Sequence, residues 1–145
     1  MITTMKSIVR ENSTCVMATT LNNMPHCSLM SYIPNDDCTT IYMVTHRNTR
    51  KCMNLTENPH VSLLIDTREN DDSKDRTATK ALTVTGIFSP VRDEEKIRRI
   101  GRDLLARHPQ LKGFIGDEGA IVFSVQIQSF QLLEGISESS FVEIT

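Results

Sequence analysis

The residues best suited to chemistry in this sequence lie together at Thr45-His46-Arg47-Asn48-Thr49-Arg50-Lys51. Three cations and three small hydrogen-bonding side chains fall between a strand-like run, Thr40-Ile41-Tyr42-Met43-Val44, and a helix-like run from Arg50 to Glu57 that halts at Asn58-Pro59. The first turn of a helix already carries partial positive charge and unpaired N–H groups, so acidic side chains would be the stabilising choice there. Arg50 and Lys51 fit the position when an anion sits on it. A phosphate can take backbone N–H bonds from the helix start, a bidentate Arg fork and a Lys point charge together. The competing reading is an ordinary N-cap at Asn48 or Thr49 with solvated cations around it. Local sequence leaves both open.

A second candidate is Ser28-Leu29-Met30-Ser31, which could line a flat ligand with backbone N–H and C=O groups plus hydroxyls. Strand alternation puts Ser28 and Met30 on one face, Leu29 and Ser31 on the other. Other chemistries find less support. There is no G-x-G-x-x-G, no Walker A sequence and no G-x-S-x-G. The histidines 26, 46, 60 and 108 are not paired at helical spacing, and no C-x-x-C joins them, so a zinc site is not expected. Cys15, Cys27, Cys38 and Cys52 read as free thiols, with Cys15 and Cys27 as small core fillers in strands. A formal net charge of −2 gives no global pull toward nucleic acid, and 5% aromatics with no Trp argue against base-stacking platforms.

The surrounding elements follow from periodicity. Ile2, Met5, Ile8 and Val9 mark one face of an N-terminal helix. Strands are predicted at 14–20, from Pro25 to Ile33, 40–45, 61–66, 81–88 and 120–134, with a weaker edge strand at 141–144. The first two should form an antiparallel hairpin. Residues 67–79 are almost wholly polar and predict a mobile surface loop. Ile97, Ile100, Leu104 and Leu105 define a helix over 93–107, with Asp93-Glu94-Glu95 in its first turn. Leu111 to Gly116 reads as a short apolar linker. In the last long strand the apolar parity shifts after Ile127 to Phe130 and Leu132, which predicts a bulge near Ser129. A chain of 145 residues, 39% hydrophobic and 23% charged, predicts one domain over 1–145. The pattern predicts a small, mostly antiparallel β-barrel with peripheral helices; an open α+β sheet is the alternative. No apolar run is long enough for a membrane span and no signal-peptide h-region opens the chain, so a cytoplasmic protein is expected.

Taken in order, Pro25-His26-x-Ser28, Ile41-Tyr42-x-x-Thr45, Thr49-Arg50-Lys51, Asn54-Leu55-x-x-Asn58-Pro59-x-Val61 and Val84-Thr85-Gly86 resemble the FMN-binding split-barrel superfamily, the pyridoxamine 5′-phosphate oxidase-like proteins. The resemblance covers roughly residues 10–90. It implies a mainly β fold with peripheral helices, a six-stranded antiparallel split β-barrel of FMN-binding type. It also implies a homodimer with FMN at the subunit interface. Arg50 and Lys51 would bind the FMN phosphate, with Thr45 and Thr49 hydrogen-bonding nearby. His46 and Arg47 lie in the intervening loop, Arg47 as a further phosphate or ribityl contact. Ser28, Leu29, Met30 and Ser31 would run along the isoalloxazine ring. Pyridoxamine phosphate oxidases often have a Gln where this chain has Ala81, and a C-terminal Arg-x-His that this chain lacks. The resemblance therefore implies an oxidoreductase of the broader superfamily acting on an unidentified small molecule. The alternative is a non-catalytic or electron-carrying binding module for FMN, haem or a deazaflavin.

Overall fold

The computed structural model describes residues 1–68 and 78–144. Most of the polar loop expected at 67–79 lies outside them. The chain opens with helix α1 (Ile2–Glu11), whose Met5, Ile8 and Val9 are buried. Strands β1 (Thr14–Leu21) and β2 (Met24–Ser31) form the expected hairpin, in register from Thr14–Ser31 to Leu21–Met24. Asn22 and Asn23 make its two-residue turn, both with positive φ (52° and 62°), a conformation Asn tolerates better than other side chains.

The second predicted strand is broken at Tyr32 into β2 and a short β3 (Ile33–Pro34). The break is a change of partner, from β1 before Tyr32 to β4 after it. Tyr32 donates its N–H to Ser13 O (3.0 Å) and its hydroxyl to Val9 O (2.7 Å), so it is held from both sides. Beyond Tyr32, β3 pairs with β4 (Thr40–His46). Helix α2 (Arg50–Glu57) and strands β5 (His60–Asp66) and β6 (Lys80–Pro90) follow. Helix α3 (Glu94–Arg107), a single 3-10 turn (Pro109–Leu111) and one-turn α4 (Lys112–Ile115) lead to the long β7 (Ala120–Glu134) and β8 (Glu138–Glu143).

All pairings are antiparallel, in the order β2-β1-β5-β6-β7-β4-β3, with β8 beside β7. Only Tyr32 separates β2 from β3, so the two ends of that order follow one another in the chain and the sheet is curled, while β2 keeps one unpaired edge. The sheet has eight strands where six were expected: β2 and β3 divide one predicted strand, and β8 is added beside the second half of β7. The predicted bulge is present. Thr85 faces Ser129 but Gly86 faces Ile127, so Gln128 is the extra residue, and the inward set changes from Val125 and Ile127 to Phe130 and Leu132. Gly86 is needed at that point: a Cβ there would stand 2.5 Å from Gln126 O and 2.6 Å from Val125 Cγ1.

Side chains fill the barrel, as small barrels require. Met17, Tyr32, Ile41, Met43, Leu63, Leu82, Phe123 and Phe130 are fully buried, and α1 adds Met5 and Val9 at one end. Cys15 belongs to this core. Cys27 does not, contrary to expectation: it shares the outward parity of exposed Leu29, while Met30 points inward. A second apolar cluster lies on the outer face of β4 and β7, where Val44 and Val122 meet Ile33 and the Ile100 and Leu104 of α3. Fully burying a residue of that size contributes about 1.5–3 kcal/mol. His108 ends α3 with its Nε2 2.9 Å from Tyr32 O, and Arg107 donates to Arg10 O and Asn12 O, tying α3 to Tyr32 and to α1. Among the described residues, no helix is long and apolar enough to cross a membrane.

Candidate functional site

The strand-to-helix junction is built by the Thr residues the sequence places there. Thr49 is the N-cap of α2, its Oγ1 accepting from Cys52 N–H (3.2 Å) and donating to His46 O (2.8 Å). Thr45 is fully buried at the end of β4, with its hydroxyl 3.3 Å from Thr49 Oγ1. Thr45 therefore stands behind the cap and fixes its rotamer. Arg50 and Lys51 are the first two helical residues, with no acid in the first turn. The cap side chain takes only the Cys52 N–H, so the N–H groups of Arg50 and Lys51 have no partner among the described residues. Their side chains form no ion pair there either. Arg50 is exposed; Lys51 is half-buried. Thr49 is the cap, as the N-cap reading expected; two open N–H donors and two uncommitted cations beside it are groups that could receive an anion.

Lys51 opens into a cleft of about 180 Å³ whose other walls are Leu29, Met30, Ser31, Val44, Leu111 and Phe114. The structure thus brings Lys51 together with three of the four β2 residues named from sequence. Ser28 is half-buried on the inward parity with Met30 and does not line that cleft. Leu29 is 76% exposed. Along its whole length β2 has a strand neighbour on one side only, so about half of its backbone N–H and C=O groups face away from the sheet.

Arg47 goes elsewhere. It is exposed and lines a larger groove of about 560 Å³ with Leu21, Met53, Thr56, Glu57 and Ile121. His46 points toward the α3–β7 connection. Its Nδ1 accepts from Asn48 N–H (3.2 Å), its Nε2 lies 3.6 Å from Asp117 Oδ2, and its ring meets Phe114 edge-on at 6.4 Å. Asp117 also accepts from Gly119 N–H (3.0 Å), and Gly119 O accepts from Arg47 N–H (2.9 Å). The Gly119 hydrogen bond first, then the His46 and Arg47 charges, hold the Asp117 carboxyl below its ordinary range. Leu111, Phe114 and Asp117 were missed from sequence. The only trace of them was an apolar linker carrying one Phe, which says nothing about where it folds back.

A curled antiparallel sheet with an N-terminal helix packed on its core and a cation-bearing β–α junction defines a split-barrel protein. The family model for pyridoxamine 5′-phosphate oxidase matches residues 1–134, and the chain belongs to that family. A comparison with curated protein sequences gives no significant match. Among solved structures, a haem-binding protein from Mycobacterium smegmatis superposes with a TM-score of 0.84 at 16% identity, covering 96% of this chain and 56% of that one. HutZ, the haem storage protein of Vibrio cholerae, gives 0.74 at 23% identity, with 91% and 92% covered. An FAD-binding protein from Mesorhizobium loti gives 0.73 at 14% identity, with 91% and 93% covered. At these identities the three likenesses establish the fold.

Proposed function

We propose that the protein is an FMN-binding flavoprotein, a homodimer with flavin at the subunit interface, and an oxidoreductase for a small molecule. The observation that carries this reading is the convergence of Lys51 with Leu29, Met30 and Ser31 on one cleft. The donor set suits a phosphorylated flat ligand. The open N–H groups of Arg50 and Lys51, with the two side chains, match a dianionic phosphate. The free edge of β2 offers alternating donors and acceptors to a ring, and exposed Leu29 offers apolar contact. Single-ligand sites usually enclose about 300–1,000 Å³, so a cleft of about 180 Å³ is a partial site, and a second copy would supply the rest. FMN, when bound, supplies hydride and single-electron chemistry; this chain's residues bind it, orient it and exclude water. Ala81, standing where pyridoxamine phosphate oxidases often have a Gln, supports a substrate other than pyridoxamine phosphate. Titration of the purified protein into FMN should quench flavin fluorescence stoichiometrically, with riboflavin bound more weakly. Colourless protein that quenches neither flavin refutes the reading.

A second reading is a haem-binding module, favoured by the names of two similar structures. Two of this chain's four histidines are committed elsewhere: His108 is buried against Tyr32 O, and His46 faces Asp117. His26 and His60 remain as axial candidates. Visible absorption after incubation with each cofactor separates the two readings: a haem Soret band that His26→Ala or His60→Ala abolishes, against flavin bands that neither variant affects.

A further inference from the structure

The geometry points to a second ligand site, apart from the cleft at Lys51. The groove along the outer face of α2 binds a short apolar peptide with charged ends, its carboxylate at Arg47 and its ammonium at Glu57. This goes beyond the flavin reading and does not depend on it.

The sequence places Arg47 among the phosphate contacts, and the structure turns it to a different groove, of about 560 Å³. That size is within the range of about 300–1,000 Å³ usual for a single-ligand site. Its walls are the hairpin end of β1 at Leu21, the start of β7 at Ile121, and the side of α2 that carries Met53, Thr56 and Glu57. The three helical residues stand three and four apart, so they share one face. Leu21 and Ile121 are half-buried, and Met53 is 63% exposed. Thr56 gives its hydroxyl proton to Cys52 O (2.9 Å). The middle of the groove is therefore chiefly apolar, and a Met side chain adapts to varied apolar shapes.

The charges lie at the two ends. Arg47 precedes the N-terminus of α2 and Glu57 is its last residue. Neither forms an ion pair among the described residues. A helix C-terminus favours a cation, yet α2 has no basic residue in its last turn and ends on an acid. A bound ammonium would supply the charge that the chain omits there. At the other end Arg47 stands on fixed backbone, its N–H bonded to Gly119 O (2.9 Å). Its guanidinium suits the bidentate geometry of a carboxylate. A helix of this length rises about 12 Å. An extended peptide advances about 3.3–3.6 Å per residue, so about three residues reach from one charge to the other. A plain aliphatic anion would leave Glu57 unmatched.

The probe is trileucine, titrated into the full chain and followed by the methyl NMR resonances of Met53 and Ile121. Trileucine amide, N-acetyl-trileucine and octanoate serve as comparators. Trileucine should shift both resonances with a Kd of about 1 mM or tighter. Each comparator should bind about two- to fivefold more weakly, as expected for the loss of one solvent-screened pair. Arg47→Ala should erase the preference for trileucine over its amide and keep that over the N-acetyl peptide; Glu57→Gln should do the converse. Arg47→Lys should keep part of the carboxylate preference. These are ratios between ligands on one protein, so a general loss of stability leaves them unmoved, and thermal midpoints check each variant. Resonances that stay still at about 10 mM trileucine overturn the inference, as do preferences that survive both Arg47→Ala and Glu57→Gln. Octanoate binding as tightly as trileucine also overturns it, by making the occupant a simple anion.

Discussion

Replacing Lys51 with Ala should separate FMN from riboflavin, and the structure sets the size of the effect. Lys51 is half-buried and lines the cleft; Arg50, one residue earlier, is exposed. At an effective dielectric near 20, opposite unit charges 4 Å apart attract by about 4 kcal/mol before desolvation is counted. The net value of a hydrogen bond to a charged group is smaller, about 1.5–3 kcal/mol. Lys51→Ala should therefore weaken FMN by about 10- to 150-fold. Arg50→Ala acts through a solvent-screened group for which about 0.2–1 kcal/mol is typical, a loss of about 1.4- to fivefold. Riboflavin, lacking the phosphate, should bind all three proteins alike. Fluorescence quenching at low and high salt gives a second axis, because the Arg50 contribution should fade with ionic strength more than that of Lys51. Equal losses for FMN and riboflavin, or a larger loss from Arg50 than from Lys51, would show that the phosphate sits elsewhere.

Three further outcomes are expected. Gly86→Ala forces a Cβ against a backbone carbonyl at the bulge, an overpacking cost of about 1–3 kcal/mol, so the thermal midpoint should drop by at least about 3 °C; an unchanged midpoint would mean the β6–β7 approach is looser than it stands here. Thr49→Ala removes the α2 cap at about 1 kcal/mol and should weaken FMN as well as stability; Thr49→Ser should restore both, and rescue of only one would separate cap from seat. Burial pushes the Cys15 thiol from 9.0 up to about 12 and raises the Tyr32 phenol above its usual value. Both groups are neutral when protonated, so their stabilisation is complete below the unfolded values and is lost as pH climbs above 9. Urea midpoints should fall across that alkaline range, and a Cys15→Ala, Tyr32→Phe protein should show a flatter decline.

Periodicity carried most of the barrel because inward and outward faces differ sharply in polarity. The parity shift from Ile127 to Phe130 placed the bulge within a residue of Gln128, since an extra residue changes every later side chain's face. The change of partner at Tyr32 was not legible. It depends on the Val9 and Ser13 carbonyls, which come from other elements. Cys27 misled because Cys is so often buried, whereas its neighbours Leu29 and Met30 are both apolar and leave the parity of β2 ambiguous. The junction at 45–51 was legible because Arg50 and Lys51 break the charge rule that Asp93, Glu94 and Glu95 obey at α3. The matching wall was not, because Phe114 reaches it only through the path of the 3-10 turn and α4.

The curled sheet also has a kinetic meaning. The β1–β2 hairpin forms between near neighbours, but β4 must find β7, and Thr40 bonds Gln126 across a separation of 86 residues. Joining segments that far apart costs loop entropy before any contact repays it, which makes this pairing a slow event in folding. The cleft takes Leu29, Met30, Ser31 and Lys51 from before that closure and Leu111 and Phe114 from after it. Until β4 and β7 pair, the first half of the chain holds the proposed phosphate seat without its wall. Ligand added to a refolding chain should therefore leave the early hairpin phase untouched and act by trapping the chain once β4 and β7 have paired, slowing their separation.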